Sequence, residues 1–174
     1  MPFPPTIAEA AALVVASAAC VTDLRTRRVP NVLTFSAALA GFVYGVTAGS
    51  WAGLGWAIAG CATGLAVFLP FFLLRGIGGG DVKLMAAIGA WLGPAGALWT
   101  GAFAGIAGGP MAVVVALSSG YLKQAVTNVW GLLMFWRVVG LQPHPALTLE
   151  NSTAPRLPYA LPILVGLMVT IWLR

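Results

Sequence analysis

The sequence predicts an all-α polytopic membrane protein of about six transmembrane helices, with an interfacial helix between the fifth and sixth, and three observations carry that prediction. Of 174 residues, 60% are hydrophobic and 7% charged, too little polar material to cover a water-soluble globule. The apolar runs have lengths near the roughly 20 residues that a spanning helix needs, and they lack the two-residue alternation of a membrane β-barrel. Most of the charged residues fall outside the runs, the exceptions being Glu9 and Lys83. Because a bilayer offers backbone amides no partner outside a helix or closed barrel, such runs are helices. One compact domain over residues 1–174 is expected.

The first run, about Ile7 to Thr22, is broken by Asp23, Leu24, Arg25, Thr26, Arg27, Arg28, Val29, Pro30 and Asn31. A second run extends from about Val32 to Ala48 and a third from Trp51 to Leu74, joined by the tight pair Gly49 and Ser50. Arg75 opens a glycine-rich turn, Gly76, Ile77, Gly78, Gly79 and Gly80, that ends at Asp81 and Lys83. The fourth run, about Val82 to Leu92, is too short to span unless it passes Gly93 and Pro94 or lies in a protein-lined region. The fifth covers about Ala95 to Leu117 and the sixth about Pro158 to Leu173. Between them, Leu122 to Val139 mixes Val126, Val129, Leu132, Leu133, Phe135 and Trp136 with Lys123, Gln124, Asn128 and Arg137, the pattern of a helix lying on the membrane surface. The competing reading makes it a seventh span. Gln142 to Arg156, with its prolines, is expected to be a loop.

Six spans with the first loop inside place Arg25, Arg27, Arg28, Arg75, Lys83, Lys123, Arg137 and Arg156 on the cytoplasmic face and only Arg174 outside. The positive-inside rule therefore puts both termini outside, and Asp23 and Asp81 at the same face. The net charge of +5 follows from this topology and calls for no nucleic-acid partner, since no basic, aromatic stretch resembles a binding groove. Cys20 and Cys61 lie within apolar runs, form no Cys-x-x-Cys pair and read as small buried hydrophobes. Met1 to Glu9 lacks the positive flank of a cleaved signal peptide, so the first run is expected to be retained. Glycines spaced by four (Gly41, Gly45 and Gly49; Gly60 and Gly64; Gly101 and Gly105) allow close approach of helix backbones.

Asp23 and Asp81 are the only aspartates, each where a long apolar run meets basic residues. A charge at that depth costs roughly 2.5 to 3.5 kcal/mol, so a membrane-edge carboxylate calls for a functional reason. Within about 3 Å of each other, two carboxylates cannot both ionise and so share a proton. The ionised member draws a proton from water while the protonated one polarises a peptide carbonyl, which gives hydrolysis without a covalent intermediate. Asp23 follows the C-terminal end of the first helix and Asp81 opens the fourth, so the helix dipoles favour Asp81 as base and Asp23 as acid, although the pair titrates as a unit.

Simpler roles exist for each: a helix N-cap for Asp81, and a solvated partner of Arg27 for Asp23. Neither explains why glycine fills four of the five positions before Asp81. Glycines there offer access to φ > 0 and leave an extended peptide unobstructed.

Asp23 followed by basic residues and by Val29, Pro30 and Asn31, then Gly78, Gly79, Gly80, Asp81, Val82, Lys83 and Leu84, resembles the paired signatures of type IV prepilin peptidases, membrane aspartic proteases of the Gly-x-Gly-Asp kind. The resemblance implies that Asp23 and Asp81 are the catalytic pair in the bacterial inner membrane. The implied substrates are prepilin or pseudopilin precursors, cut at the cytoplasmic face after a glycine that ends a short basic leader and precedes a hydrophobic helix. Gly78, Gly79, Gly80 and Lys83 are the candidate substrate-binding residues, with lipid as the surrounding partner and with no cofactor and no metal expected. The bifunctional members carry an N-terminal segment, often with Cys-x-x-Cys pairs, associated with methylation. Its absence here points to a peptidase-only form, similar to those of Flp or Tad pili, without an S-adenosylmethionine site.

Lys83 lies two positions past Asp81 and points away from it on an ideal helix, so a lipid-headgroup role competes with substrate contact. Arg25, Arg27 and Arg28 read as topology signals, because a basic leader would be repelled by them. Asn31 after Pro30 reads as a helix cap. His144, the only histidine, has no metal-site partners, and Ser118 and Ser119 have no spacing to it that suggests a nucleophile. The rival functions are a proton-coupled carrier with two relay carboxylates and a non-enzymatic pilus assembly subunit.

Overall fold

A computed structural model describes residues 5–144, 147 and 157–173, and among them the chain forms helices and no strand. In order these are α1 (Pro5–Thr26), α2 (Asn31–Leu73), α3 (Gly79–Ser118), α4 (Leu122–Val139) and α5 (Ala160–Trp172). Three of them, α1, α2 and α3, are long and apolar enough to cross a membrane, and α5 is a shorter apolar helix. The protein is thus an all-α membrane protein. Met1 to Pro4, Arg174 and most of the expected 142–156 loop, including Arg156, lie outside the described residues.

The two longest helices are bent back on themselves. Ser50 leaves the helical region at φ 55° and ψ −149°, and Gly93 does so at φ 71° and ψ −178°. A Cβ built on Gly45 would lie 2.9 Å from the carbonyl oxygen of Gly53, whereas residues eight apart in a straight helix are separated by about 12 Å of rise. Likewise a Cβ on Gly101 would lie 3.7 Å from Cε of Met85, against about 24 Å of rise in a straight helix. Each helix therefore consists of two arms that pack side by side: residues 31–49 and 51–73 in α2, and 79–92 and 94–118 in α3. The reversals fall where Gly49 and Ser50, and Gly93 and Pro94, interrupt the apolar pattern. At Gly93 the indole of Trp56 fills the space where a side chain would go, and Pro94 starts the next arm where its missing N–H costs no helix bond.

Both arms of α2 pack on the first arm of α3. Gly60 and Gly89 meet backbone to backbone, Gly64 sits on the carbonyl of Met85, and Gly41 sits on Ala90. Trp91 Nε1 donates to the Ala37 carbonyl at 2.9 Å. The first arm of α3 is enclosed as a result, with Val82 and every residue from Leu84 to Ala90 buried. This explains how so short an apolar run is accommodated: protein surrounds it. Its second arm packs on α5 through Gly166, whose Cβ would meet the backbone of Thr100 and Ala104. α1 adds a face of Ala12, Ala16 and Ala19 to a core of Phe68, Leu84, Met85, Ile88, Leu92, Ile163 and Leu167. Gly105 has nothing within 4 Å of a built Cβ, so its four-residue spacing from Gly101 serves no contact here.

α4 has the bounds that its sequence pattern predicts, buries none of its residues, and is not among the helices apolar enough to cross a membrane.

Candidate active site

Asp23 and Asp81 come together although they are far apart in the sequence. Each is only 8% exposed. Both line a cavity of about 740 Å³ and a second of about 480 Å³, and they share these walls with Arg27, Gly78 and Gly79. The larger cavity is completed by Phe72, Leu73, Arg75, Gly76, Ile77, Leu157 and Tyr159. The smaller is completed by Arg28, Val29, Pro30, Asn31 and Gly80.

Local structure places each carboxylate differently from the sequence expectation. α1 does not stop at Thr22 but runs to Thr26, so Asp23 lies within its last turn rather than after it. Nothing from Leu24 to Thr26 breaks a helix. The hydroxyls of Thr22 and Thr26 bond back to the carbonyls of Ala19 and Thr22, and Arg27, at φ 55°, ends the helix with its N–H donating to the Asp23 carbonyl. α3 begins at Gly79 with Gly78 as its N-cap, so Asp81 is in the first turn and is not the cap. There, unsatisfied amides and the positive end of the dipole favour a carboxylate.

The glycine turn works by leaving room rather than by backbone conformation. The left-handed residue in this turn is Arg75, at φ 56°, and Gly78, Gly79 and Gly80 are not in that region. A Cβ on Gly80 would lie 3.1 Å from Cβ of Val29, one on Gly79 3.3 Å from the Phe72 ring, and one on Gly78 3.2 Å from Oδ2 of Asp81. Side chains at these positions would crowd the walls of the cavities and the carboxylate itself.

Asp23 has a partner that the sequence did not announce. Its Oδ2 accepts the N–H of Ala160 at 3.4 Å, a backbone donor at the start of α5. Each carboxylate therefore faces the N-terminal turn of a helix, and the dipole difference that favoured one as acid and the other as base is offset. Pro158, at the start of the last apolar run, is the one local signal of a helix start at this point.

Of the four candidate substrate-binding residues, the structure brings Gly78 and Gly79 to both cavities and Gly80 to the smaller, but not Lys83. Lys83 Nζ instead donates to Asn31 Oδ1 at 2.9 Å and sits 5.6 Å above the Phe35 ring. Asn31 is accordingly not a helix cap: Pro30 holds the N-cap position of α2, and no side chain caps it. Arg27 lines both cavities and Arg28 the smaller one, whereas Arg25 lines neither. Tyr159, Phe72, Leu73 and Leu157 went unnoticed in the sequence because apolar residues are everywhere in this chain. Tyr159 is held edge-on to Phe68, with ring centroids 6.0 Å apart.

Among the described residues no group of three or more His, Cys, Asp or Glu side chains could hold a metal ion. His144 packs edge-on against Phe135 with centroids 4.7 Å apart. Ser118 and Ser119 donate back to the Val115 carbonyl.

Two carboxylates on the walls of a common, partly open cavity can hold a water between them and divide the acid and base roles of hydrolysis. A family model described as the type IV leader peptidase family matches residues 10–113, a stretch that contains both aspartates and the glycine turn. No curated protein and no solved structure matches the chain.

Proposed function

The chain belongs to the type IV leader peptidase family, and we propose that it is an aspartic endopeptidase in which Asp23 and Asp81 activate water to remove the basic leader of a prepilin or pseudopilin precursor. One observation carries this reading: two buried aspartates from distant segments line the same two cavities. In this reading one carboxyl group of the pair acts ionised and the other protonated, the division of roles that aspartic hydrolysis needs. The ionised member takes a proton from water as its oxygen attacks the scissile carbonyl, and the protonated member donates to the carbonyl oxygen. Collapse of the tetrahedral intermediate breaks the C–N bond, with the proton passing to the departing amine.

In this reading α1, both arms of α2, both arms of α3, and α5 cross the bacterial inner membrane, and α4 lies on its cytoplasmic surface. Support comes from the ends that meet at the site. The end of α1, both ends of α2 and the start of α3 gather there together with Arg27, Arg28 and Arg75, a basic cluster of the kind retained on the cytoplasmic side. The precursor's apolar helix would approach from the lipid, with its extended leader running past Gly78 and Gly79.

The test is cleavage of a precursor peptide carrying a basic leader, a glycine and an apolar helix, by purified protein in detergent or lipid. Asp23→Asn and Asp81→Asn should each lower the rate by about 10² to 10⁴ with helical content retained. Full activity in either variant would remove that residue from the chemistry. Failure of the wild type on several such precursors would favour the carrier or the assembly subunit.

A further inference from the structure

We propose that Lys83 and Asn31 form a clasp that sets the end of α1 carrying Asp23 against the turn of α3 carrying Asp81, which makes both of them positioning residues; the proposal rests on the aspartic reading above. Lys83 follows Asp81 by two positions, and its side chain leaves both cavities to cross onto the first turn of α2. There its ammonium has two partners, the Asn31 amide oxygen at 2.9 Å and the face of the Phe35 ring at 5.6 Å. A Lys held in this way is not presented to a substrate, and a basic leader would be repelled by it. Asn31, in turn, has no capping duty, and it lines the smaller cavity with both aspartates.

The chain between Asp23 and Asn31 is short and conformationally restricted. It leaves α1 at Arg27, at φ 55°, and enters α2 through Pro30, at φ −63°. Along it Val29 abuts Gly80, where a Cβ would approach Val29 Cβ to 3.1 Å. Displacement of Asn31 relative to Lys83 is therefore transmitted to the last turn of α1 and to Asp23. In this arrangement the clasp and the Val29–Gly80 contact fix one side of the pair, while the Ala160 N–H fixes the other. Small misplacements of reacting groups lower turnover without weakening substrate binding, since a 1 Å error costs on the order of 10²-fold.

The experiment is a double-mutant cycle on cleavage, with kcat and KM measured separately for Lys83→Met, Asn31→Ala and their combination. Expected are kcat losses of about 10-fold in each single variant, KM within about 2-fold of wild type, and a double variant no slower than the slower single one. Asn31→Gln, which keeps a neutral amide oxygen as acceptor for Lys83 without adding a third carboxylate to the cavity, should recover part of the kcat lost in Asn31→Ala. If Lys83→Met does not fold, Asn31→Ala against Asn31→Gln still decides, because both are neutral and differ in whether an amide acceptor for Lys83 is present.

Additive losses overturn the clasp, as does a Lys83→Met effect confined to KM, which would mark a substrate or headgroup contact. Lower thermal stability with unchanged kcat overturns it too, leaving a structural role only. Asp23→Asn measured in parallel separates the two ideas. If it retains activity, the aspartic reading has failed and the clasp with it. If it is inactive while the clasp variants match wild type, the clasp alone has failed.

Discussion

Asp81 and Asp23 are equally buried, yet they are mounted in different ways. Asp81 begins an arm of α3 on which every residue from Leu84 to Ala90 is buried and against which α2 packs backbone to backbone at Gly60 and Gly64. Asp23 ends a helix that meets the bundle through a smooth alanine face, Ala8, Ala12, Ala16 and Ala19, while Val14, Val21 and Leu24 are exposed on its other side. Close glycine contacts interlock and resist sliding, because carbonyls and Cα atoms cannot yield as the ends of side chains do. An alanine face has little relief to fix its register. One half of the site is thus part of the most tightly fitted region of the fold. The other is docked, and its position at the site end depends on the Ala160 N–H and on the short connection to α2.

The largest effect that can break this comparison is a lengthened carboxylate. Asp81→Glu should lower cleavage by about 100-fold, since the rigid arm cannot retreat, and Asp23→Glu by about 10-fold, since α1 can adjust. Equal losses in kcat would show that the two mounts are equally stiff. The next effect is on stability. Gly60→Ala drives a methyl group into the carbonyl of Gly89, and it should cost about 1–3 kcal/mol, read as a lower unfolding midpoint in detergent. Ala16→Leu on the alanine face should cost less than Gly60→Ala while slowing cleavage about 10-fold, because α1 can shift as a body, carrying Asp23 with it, where the backbone at Gly60 cannot yield. A stability loss matching that of Gly60→Ala would mean that α1 is fitted as closely as α2. The smallest effect is at Gly55, where a Cβ meets nothing within 4 Å. Gly55→Ala should leave stability unchanged or raise it by up to about 1 kcal/mol, and a loss would point to a neighbour on that face.

Much of this was legible in the sequence, and the reason differs from one feature to the next. The reversals at Ser50 and Gly93 could be placed because glycine and proline interrupt a helix locally, whatever lies around it. The bounds of α4 followed from an amphipathic pattern that is likewise local. Asp23 and Asp81 stood out because a carboxylate at the end of an apolar run is costly wherever it is found. The resemblance carried by their flanking motifs agrees with the matched family. Local cues failed at the ends of elements: α1 continued past Asp23, α3 began ahead of Asp81, and the glycines of the turn serve space instead of left-handed backbone.

By itself, then, the sequence determined the all-helical membrane class, the points where the long helices turn, and the pair of carboxylates, because each rests on a few neighbouring residues and on the solvent around them. Only the tertiary structure decided that an enclosed arm carries Asp81, that the start of α5 donates to Asp23, and that Lys83 turns away from the cavities to Asn31. Those outcomes are contacts between residues remote in the chain, and no periodicity or composition encodes which of many similar apolar faces will meet.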